Sequence, residues 1–456
     1  MEVDTIAAVS TASGLGAVAV VRISGPRAGP ILRTLAPGLR ALPEARRVTL
    51  VELRDPEDGT LLDRALATWF ASPASYTGED VVELACHGGR LVPELVVEAC
   101  ERAGARRADP GEFTRRAYLH GKVDLVQAEA VADLIEARSR ALHRAALAQL
   151  DRGLSARISG LRESVLRVEA LLVHHIDFPE EDEPPVSIER VAEAASALLP
   201  QLDALLATAP AGELLREGAL VVLAGRPNAG KSSLYNALVG EERAIVTDEP
   251  GTTRDALIAT VDLGGFPFRL VDTAGLREAG ERVERIGIEV TRRYLERADL
   301  VLLCVPSGEG GIASEEEFLR EVGGVPVVWL DTKSDLGPGG DSARALPDGI
   351  ADSLRVSALL GTGLDSLRSL LPKLAYGGIV TASPDAPVLT RARQRRGLES
   401  ARAEIESFTA ALRDGLPAEI ACSHLRAAEA ALEDVLGAIS TEDVLDVVFA
   451  EFCVGK

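Results

Sequence analysis

The chain has 456 residues, enough for two to four domains with cores of their own. Apolar residues make up 46% and charged residues 26%, which excludes a disordered or fibrous chain. The formal charge of −21 excludes a protein that grips nucleic acid mainly through its own phosphate contacts, so any such contact needs a local basic patch or a partner. The start, Met1-Glu2-Val3-Asp4, has no basic stretch, and Arg22 cuts the apolar run Ala17 to Val21. Neither a leader nor a membrane span is expected. Cys86, Cys100, Cys304, Cys422 and Cys453 have no C-x-x-C spacing, the pattern of free thiols in a reducing cytoplasm.

Residues 1–118 read as mixed α/β. Strands are expected at Ala17–Val21, Val48–Leu53, Ala65–Phe70 and Val81–Cys86, and a helix at Leu91–Glu101. From about Leu125 the texture turns helical. Leu125, Ala128, Val131, Leu134 and Ile135 keep a 3–4 spacing, and Leu154, Ile158, Leu161, Val165 and Val168 repeat it. The acidic stretch Phe178–Pro185 breaks the pattern, and a further helix is expected over Ile188–Leu206. Residues 216–376 alternate strand and helix, with strands at Leu220–Ala224, Arg269–Val271, Leu300–Val305 and Val325–Leu330. Gly377–Pro387 reads as a linker, and helical texture returns over Thr390–Phe452. The division is therefore 1–118, a helical part 119–215, an α/β part 216–376 and a second helical part 377–456. Either one helical domain is interrupted by an α/β insertion, or two helical units stand apart.

Gly225-Arg226-Pro227-Asn228-Ala229-Gly230-Lys231-Ser232 fits G-x-x-x-x-G-K-[ST] between a strand and the helix Ser233–Val239. Such a loop turns backbone N–H groups onto phosphates, while Lys231 brings a charge to the terminal phosphates and Ser232 a hydroxyl to Mg²⁺. Asp272-Thr273-Ala274-Gly275 follows an apolar strand, placing a carboxylate near Mg²⁺ and the Gly275 N–H near the γ-phosphate. Between them Gly251-Thr252-Thr253-Arg254-Asp255 is turn-prone, with Thr253 able to close over Mg²⁺. Thr332-Lys333-Ser334-Asp335 sets the base: Asp335 accepts from two N–H groups on one edge of guanine, and Lys333 lies along the ring. Ser357-Ala358 supplies a backbone N–H to the guanine carbonyl. Common GTPases carry Asn where this chain has Thr332, which puts the usual amide contact in question, though a hydroxyl can substitute. Leu276 occupies the place of a water-orienting Gln, leaving Glu278, Glu281 and Glu284 as alternatives.

The whole chain resembles the tRNA-modification GTPase family known as MnmE or TrmE. The carriers are Asp4-Thr5-Ile6, Arg22-Ile23-Ser24-Gly25, Tyr76-Thr77-Gly78-Glu79-Asp80, His87-Gly88-Gly89, Pro110-Gly111-Glu112-Phe113-Thr114 and Gly121-Lys122-Val123-Asp124-Leu125. The GTPase motifs and the final Cys453-Val454-Gly455-Lys456 complete the set. The resemblance implies an N-terminal α/β folate-binding and dimerisation domain, a helical domain, and an inserted Ras-like P-loop GTPase domain. It implies GTP contacts at Asn228, Ala229, Gly230, Lys231, Ser232 and Ser233, in the loop Thr247, Asp248, Glu249, Pro250, Gly251, Thr252 and Thr253, and at Asp272, Thr273, Ala274 and Gly275. Base contacts fall to Thr332, Lys333, Asp335, Ser357 and Ala358.

By the same resemblance Mg²⁺ is held by Ser232 and Thr253, and K⁺ by Asn228, Thr247, Glu249 and Thr252 where two GTPase domains meet. Glu284 orients water. A 5-formyl-tetrahydrofolate, or a related tetrahydrofolate one-carbon donor, maps to Arg22, Glu83, Lys122 and Lys456. Cys453 acts in the uridine chemistry, as a nucleophile or in another role. The implied activity is modification of the wobble uridine (position 34) of certain tRNAs at C5, by a cytoplasmic homodimer working with an FAD-dependent partner protein in a heterotetramer or larger complex. The rival readings are a GTPase switch in ribosome assembly or signalling without folate chemistry, and a folate-dependent transferase that would not need residues 216–376. Departures from the family pattern are Ser13-Gly14-Leu15-Gly16, His120 for a usual Asn, and Glu249 for an apolar residue.

Overall fold

The computed structural model describes residues 4–12, 14–177, 186–241, 257–272, 293–307, 313–336, 346–380, 387–438, 442–450 and 452–455. Two compact units divide the chain: Met1–Ala132 with Glu433–Lys456, and Asp133–Leu432. Among the described residues no helix is long and apolar enough to cross a membrane.

The first unit is built on a six-stranded sheet of β1 (Ile6–Val9), β2 (Val18–Ser24), β3 (Thr49–Arg54), β4 (Leu61–Phe70), β5 (Val81–His87) and β6 (Arg106–Arg107). Their order is β3-β4-β5-β2-β1-β6, antiparallel except for the short β1–β6 pairing. The apolar run at Ala17–Val21 continues past Arg22 to Ser24 because Arg22 lies opposite Glu83 in the β2–β5 register, so the charge is compensated in place. Helices α1 (Ala28–Leu35) and α2 (Val92–Arg102) cover one face, packing Ile31, Leu32, Leu35, Val96 and Cys100 on Val21, Ile23, Val82 and Leu84. Helices α3 (Glu112–Leu119) and α4 (Leu125–Glu136) follow. Leu125, Ala128 and Ala132 of α4 form a second cluster with Leu445, Val448 and Phe449 of the helix Glu442–Ala450, and with Phe452.

The second unit joins helices to a nucleotide-type sheet. Its helices include α5 (Arg140–Leu150), α6 (Gly153–Asp177), α7 (Ile188–Ser196), α8 (Leu199–Leu206) and α9 (Ala209–Glu217). The single helix expected over Ile188–Leu206 is two, because Pro200 has no N–H to donate and can only sit in a first turn. Thr390–Phe452 likewise divides, into Ala392–Arg413, Ala418–Leu436 and Glu442–Ala450. The first break holds Gly415 and Pro417, neither suited to a helix interior.

The second sheet comprises β7 (Ala219–Ala224), β8 (Leu257–Leu263), β9 (Phe266–Asp272), β10 (Leu300–Pro306), β11 (Val327–Thr332) and β12 (Ile350–Arg355), in the order β12-β11-β10-β7-β9-β8. All neighbours are parallel except β8 and β9. Strand β7 reads as an unbroken apolar run because both faces are covered: Val221 and Leu223 join one core, Leu220, Val222 and Ala224 the other. A buried ion pair lies deep in this unit, Arg391 Nη2 donating to Asp133 Oδ1 at 2.6 Å.

Candidate functional site

Strand β7 delivers the chain at its carboxyl end to Gly225, which has φ +132°. A Cβ there would stand 2.3 Å from the Cys304 carbonyl oxygen of β10, so only glycine lets the loop leave between the two strands. Asn228 follows at φ +60°, a left-handed conformation that Asn tolerates better than most residues. Helix α10 (Lys231–Glu241) then opens with its free N–H groups at the loop, carrying Ser232 and Ser233 exposed in its first turn. Lys231 is buried, and its Nζ donates to the carbonyls of Gly225 at 2.9 Å and Arg226 at 2.8 Å. The ammonium is thus held against the loop from within. Asp272 ends β9 beside Leu223 of β7 and is buried. Burial pushes the Cys304 thiol up to about 12, with the Lys231 charge opposing that shift and Asp272 adding to it. Both charges therefore converge on the carboxyl end of the central strands.

The loop after β11 closes the other side. Thr332 is buried, and its Oγ1 donates to the Ala229 carbonyl at 2.6 Å. Lys333 adopts φ +54°, and Asp335 stands exposed with its Oδ1 accepting from Ser357 Oγ at 2.6 Å. Ser357 is buried, its Oγ accepts from the Leu360 N–H at 3.2 Å, and half-buried Ala358 follows it. Asn228, Ala229, Gly230, Lys231, Ser232, Ser233, Asp272, Thr332, Lys333, Asp335, Ser357 and Ala358 thus gather at one end of one sheet. Thr247, Asp248, Glu249, Pro250, Gly251, Thr252, Thr253, Thr273, Ala274, Gly275 and Glu284 lie outside the described residues, as do Arg254, Leu276, Glu278, Glu281 and Lys456.

In the first unit Arg22 Nε and Nη2 donate to Glu83 Oε1 at 3.0 and 2.9 Å, and the guanidinium lies 5.3 Å from the Tyr76 ring centre and 5.6 Å from that of Phe113. Lys122 Nζ donates to the Pro73 carbonyl at 3.0 Å, separate from that pair. His120 Nδ1 lies 2.8 Å from the Thr77 carbonyl, to which it donates. His87 serves the end of β5, with its ring Nδ1 2.7 Å from Asp63. Cys453 is exposed, and with Val454 it lines a cavity of about 810 Å³. The same wall includes Thr11, Gly14, Leu15, Gly16, Gly88, Gly89, Arg90 and Arg107. Arg22, Glu83 and Lys122 are not in that lining, although Ala8, opposite Arg22 in the register, is.

Two features escaped the sequence. Glu79 is buried on Arg116 and accepts from Ser24 Oγ at 2.6 Å, so much of the Tyr76–Asp80 motif is a polar strut rather than a ligand set. Arg226 of the phosphate loop pairs with buried Glu315, Nη2 to Oε2 at 3.1 Å. Nothing in the spacing of these residues announces either partner.

A glycine-rich P-loop at the carboxyl end of a central parallel strand, with Lys231 and Asp272 beside it and exposed Asp335 in the loop after β11, is the arrangement of a P-loop GTPase. Profiles of two families match the chain, one described as the GTP-binding protein TrmE N-terminus over residues 5–122, the other as the MnmE helical domain over residues 125–453. Relatives described as tRNA modification GTPase MnmE are similar over nearly their whole length. The Heliobacterium modesticaldum protein is 42% identical over 99% of both chains, that of Methylobacterium radiotolerans 44% over 100% of both, and that of Myxococcus xanthus 44% over 99% of both. The chain belongs to the MnmE family of tRNA modification GTPases.

Proposed function

We propose that this chain hydrolyses GTP to drive modification of the wobble uridine (position 34) of certain tRNAs. The product carries an aminomethyl or carboxymethylaminomethyl group at C5, made with a folate one-carbon unit and an FAD-dependent partner protein. One observation carries the reading: the likeness to tRNA modification GTPases runs through the first unit and the Cys453 segment as well as the GTPase sheet. A bare GTPase switch would need only the latter.

In this reading the α10 N-terminus and Lys231 hold the β- and γ-phosphates. Ser232 suits Mg²⁺ because its hydroxyl stands exposed in the first turn of α10, with Thr253 as the second protein ligand. Asn228 suits K⁺ because its amide is exposed on the loop, with Thr247, Glu249 and Thr252 completing the site. Both cations, when bound, offset charge that develops on the phosphate oxygens. Glu284 orients the attacking water. The first unit has a cavity of about 810 Å³, within the range of small-ligand sites, but Arg22, Glu83 and Lys122 are not in its lining, so the folate assignment rests on the family likeness of those residues and not on that cavity. Arg22, Lys122 and Lys456 would meet the glutamate tail of a tetrahydrofolate and Glu83 the pterin donor edge. Cys453 is exposed on that cavity, and in this reading it acts in the uridine chemistry. The working form is a cytoplasmic homodimer that joins the FAD partner in a heterotetramer or larger complex.

The test is nucleoside mass spectrometry of bulk tRNA from a strain lacking this gene, with and without its restoration. Loss of C5-modified wobble uridine, restored by the gene, supports the proposal. Unchanged nucleosides with a defect in ribosomal subunits would replace it with the switch reading.

A further inference from the structure

Thr332 stands where an Asn is usual, and the two side chains differ in what they can donate. An Asn amide has two N–H donors and a separate acceptor, whereas a Thr hydroxyl has a single proton. Here that proton is committed. Thr332 Oγ1 donates to the Ala229 carbonyl at 2.6 Å, and both residues are buried. The side chain also lies beside Gly230 of the phosphate loop, where an added Cβ would stand in ordinary contact with the Thr332 Cβ at 3.6 Å. The backbone is fixed as well: Thr332 pairs with Pro306 in the β10–β11 register, and its carbonyl accepts from the Ser307 N–H at 2.8 Å. Turning the hydroxyl toward a base would leave a buried carbonyl without its donor.

Guanine offers two acceptors on its five-membered-ring side, N7 and O6. We infer that this chain selects guanine without reading N7, Thr332 acting as a strut between the base loop and the phosphate loop. Selection then rests on Asp335 against the N1 and N2 hydrogens and on the Ala358 N–H against O6. The inference rests on the GTP reading of this site and adds which atoms of the base are recognised.

The experiment compares dissociation constants of GTP and 7-deaza-GTP, in which N7 is replaced by C–H, with ATP as the control for base selection. Wild type should bind the two guanine nucleotides within about twofold of each other, less than the effect of one neutral hydrogen bond. Thr332→Asn should bind 7-deaza-GTP about threefold to tenfold more weakly than GTP, the effect of one such bond regained. Thr332→Val should weaken both nucleotides by the same factor, and Thr332→Ser should restore both, the signature of a positioning residue. A wild-type preference for GTP over 7-deaza-GTP above about fivefold would overturn the inference, being the size of a bond to N7. Equal binding of the two by Thr332→Asn would also overturn it. If GTP fails to outcompete ATP, the guanine reading itself falls, whatever the 7-deaza ratio.

Discussion

Asp335→Asn isolates the base contact from the rest of the site. Asp335 is exposed, and Ser357 Oγ at 2.6 Å fixes the plane of its carboxylate without enclosing it, so the substitution leaves the fold intact. A carboxylate facing the N1 and N2 hydrogens of guanine makes two charge-assisted hydrogen bonds of about 1.5–3 kcal/mol each. The amide oxygen of the substituted side chain can still accept from Ser357 and from N1–H, but its NH₂ then meets the exocyclic NH₂ of guanine, donor against donor. Losing one bond outright, weakening the other and adding that repulsion sums to about 3–5 kcal/mol, or roughly 10²- to 10⁴-fold in GTP affinity. Xanthosine triphosphate carries a carbonyl at that position and should gain by a similar factor. Competition against a ribose-labelled fluorescent nucleotide measures both constants in one titration. GTP affinity within about threefold of wild type would refute the reasoning, because no single charged bond is that weak.

The cysteines should separate by reactivity. Burial pushes Cys86 to about 11 and Cys100 and Cys304 to about 12, and burial with the Glu169 contact also raises Cys422, so alkylation of the native protein at pH 8 should label exposed Cys453 first. Mass spectrometry finding fast labelling at Cys304 would contradict the packing of β10. Cys453→Ser should abolish tRNA modification while GTP turnover persists; a mutant that still modifies tRNA would return this thiol to a passive role. GTP hydrolysis should fall steeply when KCl is replaced by NaCl at equal ionic strength, and Asn228→Ala should be slow in both, whereas equal rates in the two salts would remove potassium and leave the Arg254 guanidinium as the next candidate to offset charge on the phosphates. Asp133→Ala takes from Arg391 the carboxylate 2.6 Å away, a loss of about 3–5 kcal/mol for a buried pair. Calorimetry should show the melting temperature of that unit lowered by roughly 6–15 °C, and a shift under about 2 °C would mean the pair is not buried in solution.

The phosphate loop and the doubly wound strands were legible because their chemistry is local. A glycine-rich turn between β7 and α10 is a contiguous pattern, and parallel strands covered on both faces are contiguous apolar runs. Strand β1 escaped because Ile6–Val9 is four residues long and its last neighbour, β6, is only Arg106–Arg107. Strand β8 was legible but not expected: Ala259, Val261 and Leu263 alternate as buried positions, and Gly264-Gly265 makes the two-residue turn into β9. The Arg22–Glu83 pair depends on the β2–β5 register, 61 positions apart, which no single stretch encodes. The role of Thr332 is another case: the departure from Asn was visible in the chain, but its partner, the Ala229 carbonyl, is 103 positions away.

The segment carrying Cys453 has a consequence for how the protein is made. Ser10 Oγ donates to the Gly455 carbonyl at 2.9 Å across 445 positions, Pro110 bridges Val454, and Tyr118 donates its hydroxyl to the Gly437 carbonyl. Gly455 sits at φ +94° so close to Val9 that a Cβ would fall 2.2 Å from the Val9 carbonyl oxygen. These contacts therefore wait for residues 433–455 until the whole of Asp133–Leu432 has been translated, although the sheet core between Ala7 and Cys100 is complete long before. At about 5–20 residues per second those 300 intervening residues take roughly 15–60 s. Throughout that interval the apolar surface later covered by Phe449 and Phe452 stands open on the nascent chain. The wall that brings the thiol to the cavity is among the last parts to arrive, so a ribosome that stalls late releases a chain with a finished GTPase sheet and an unfinished first unit.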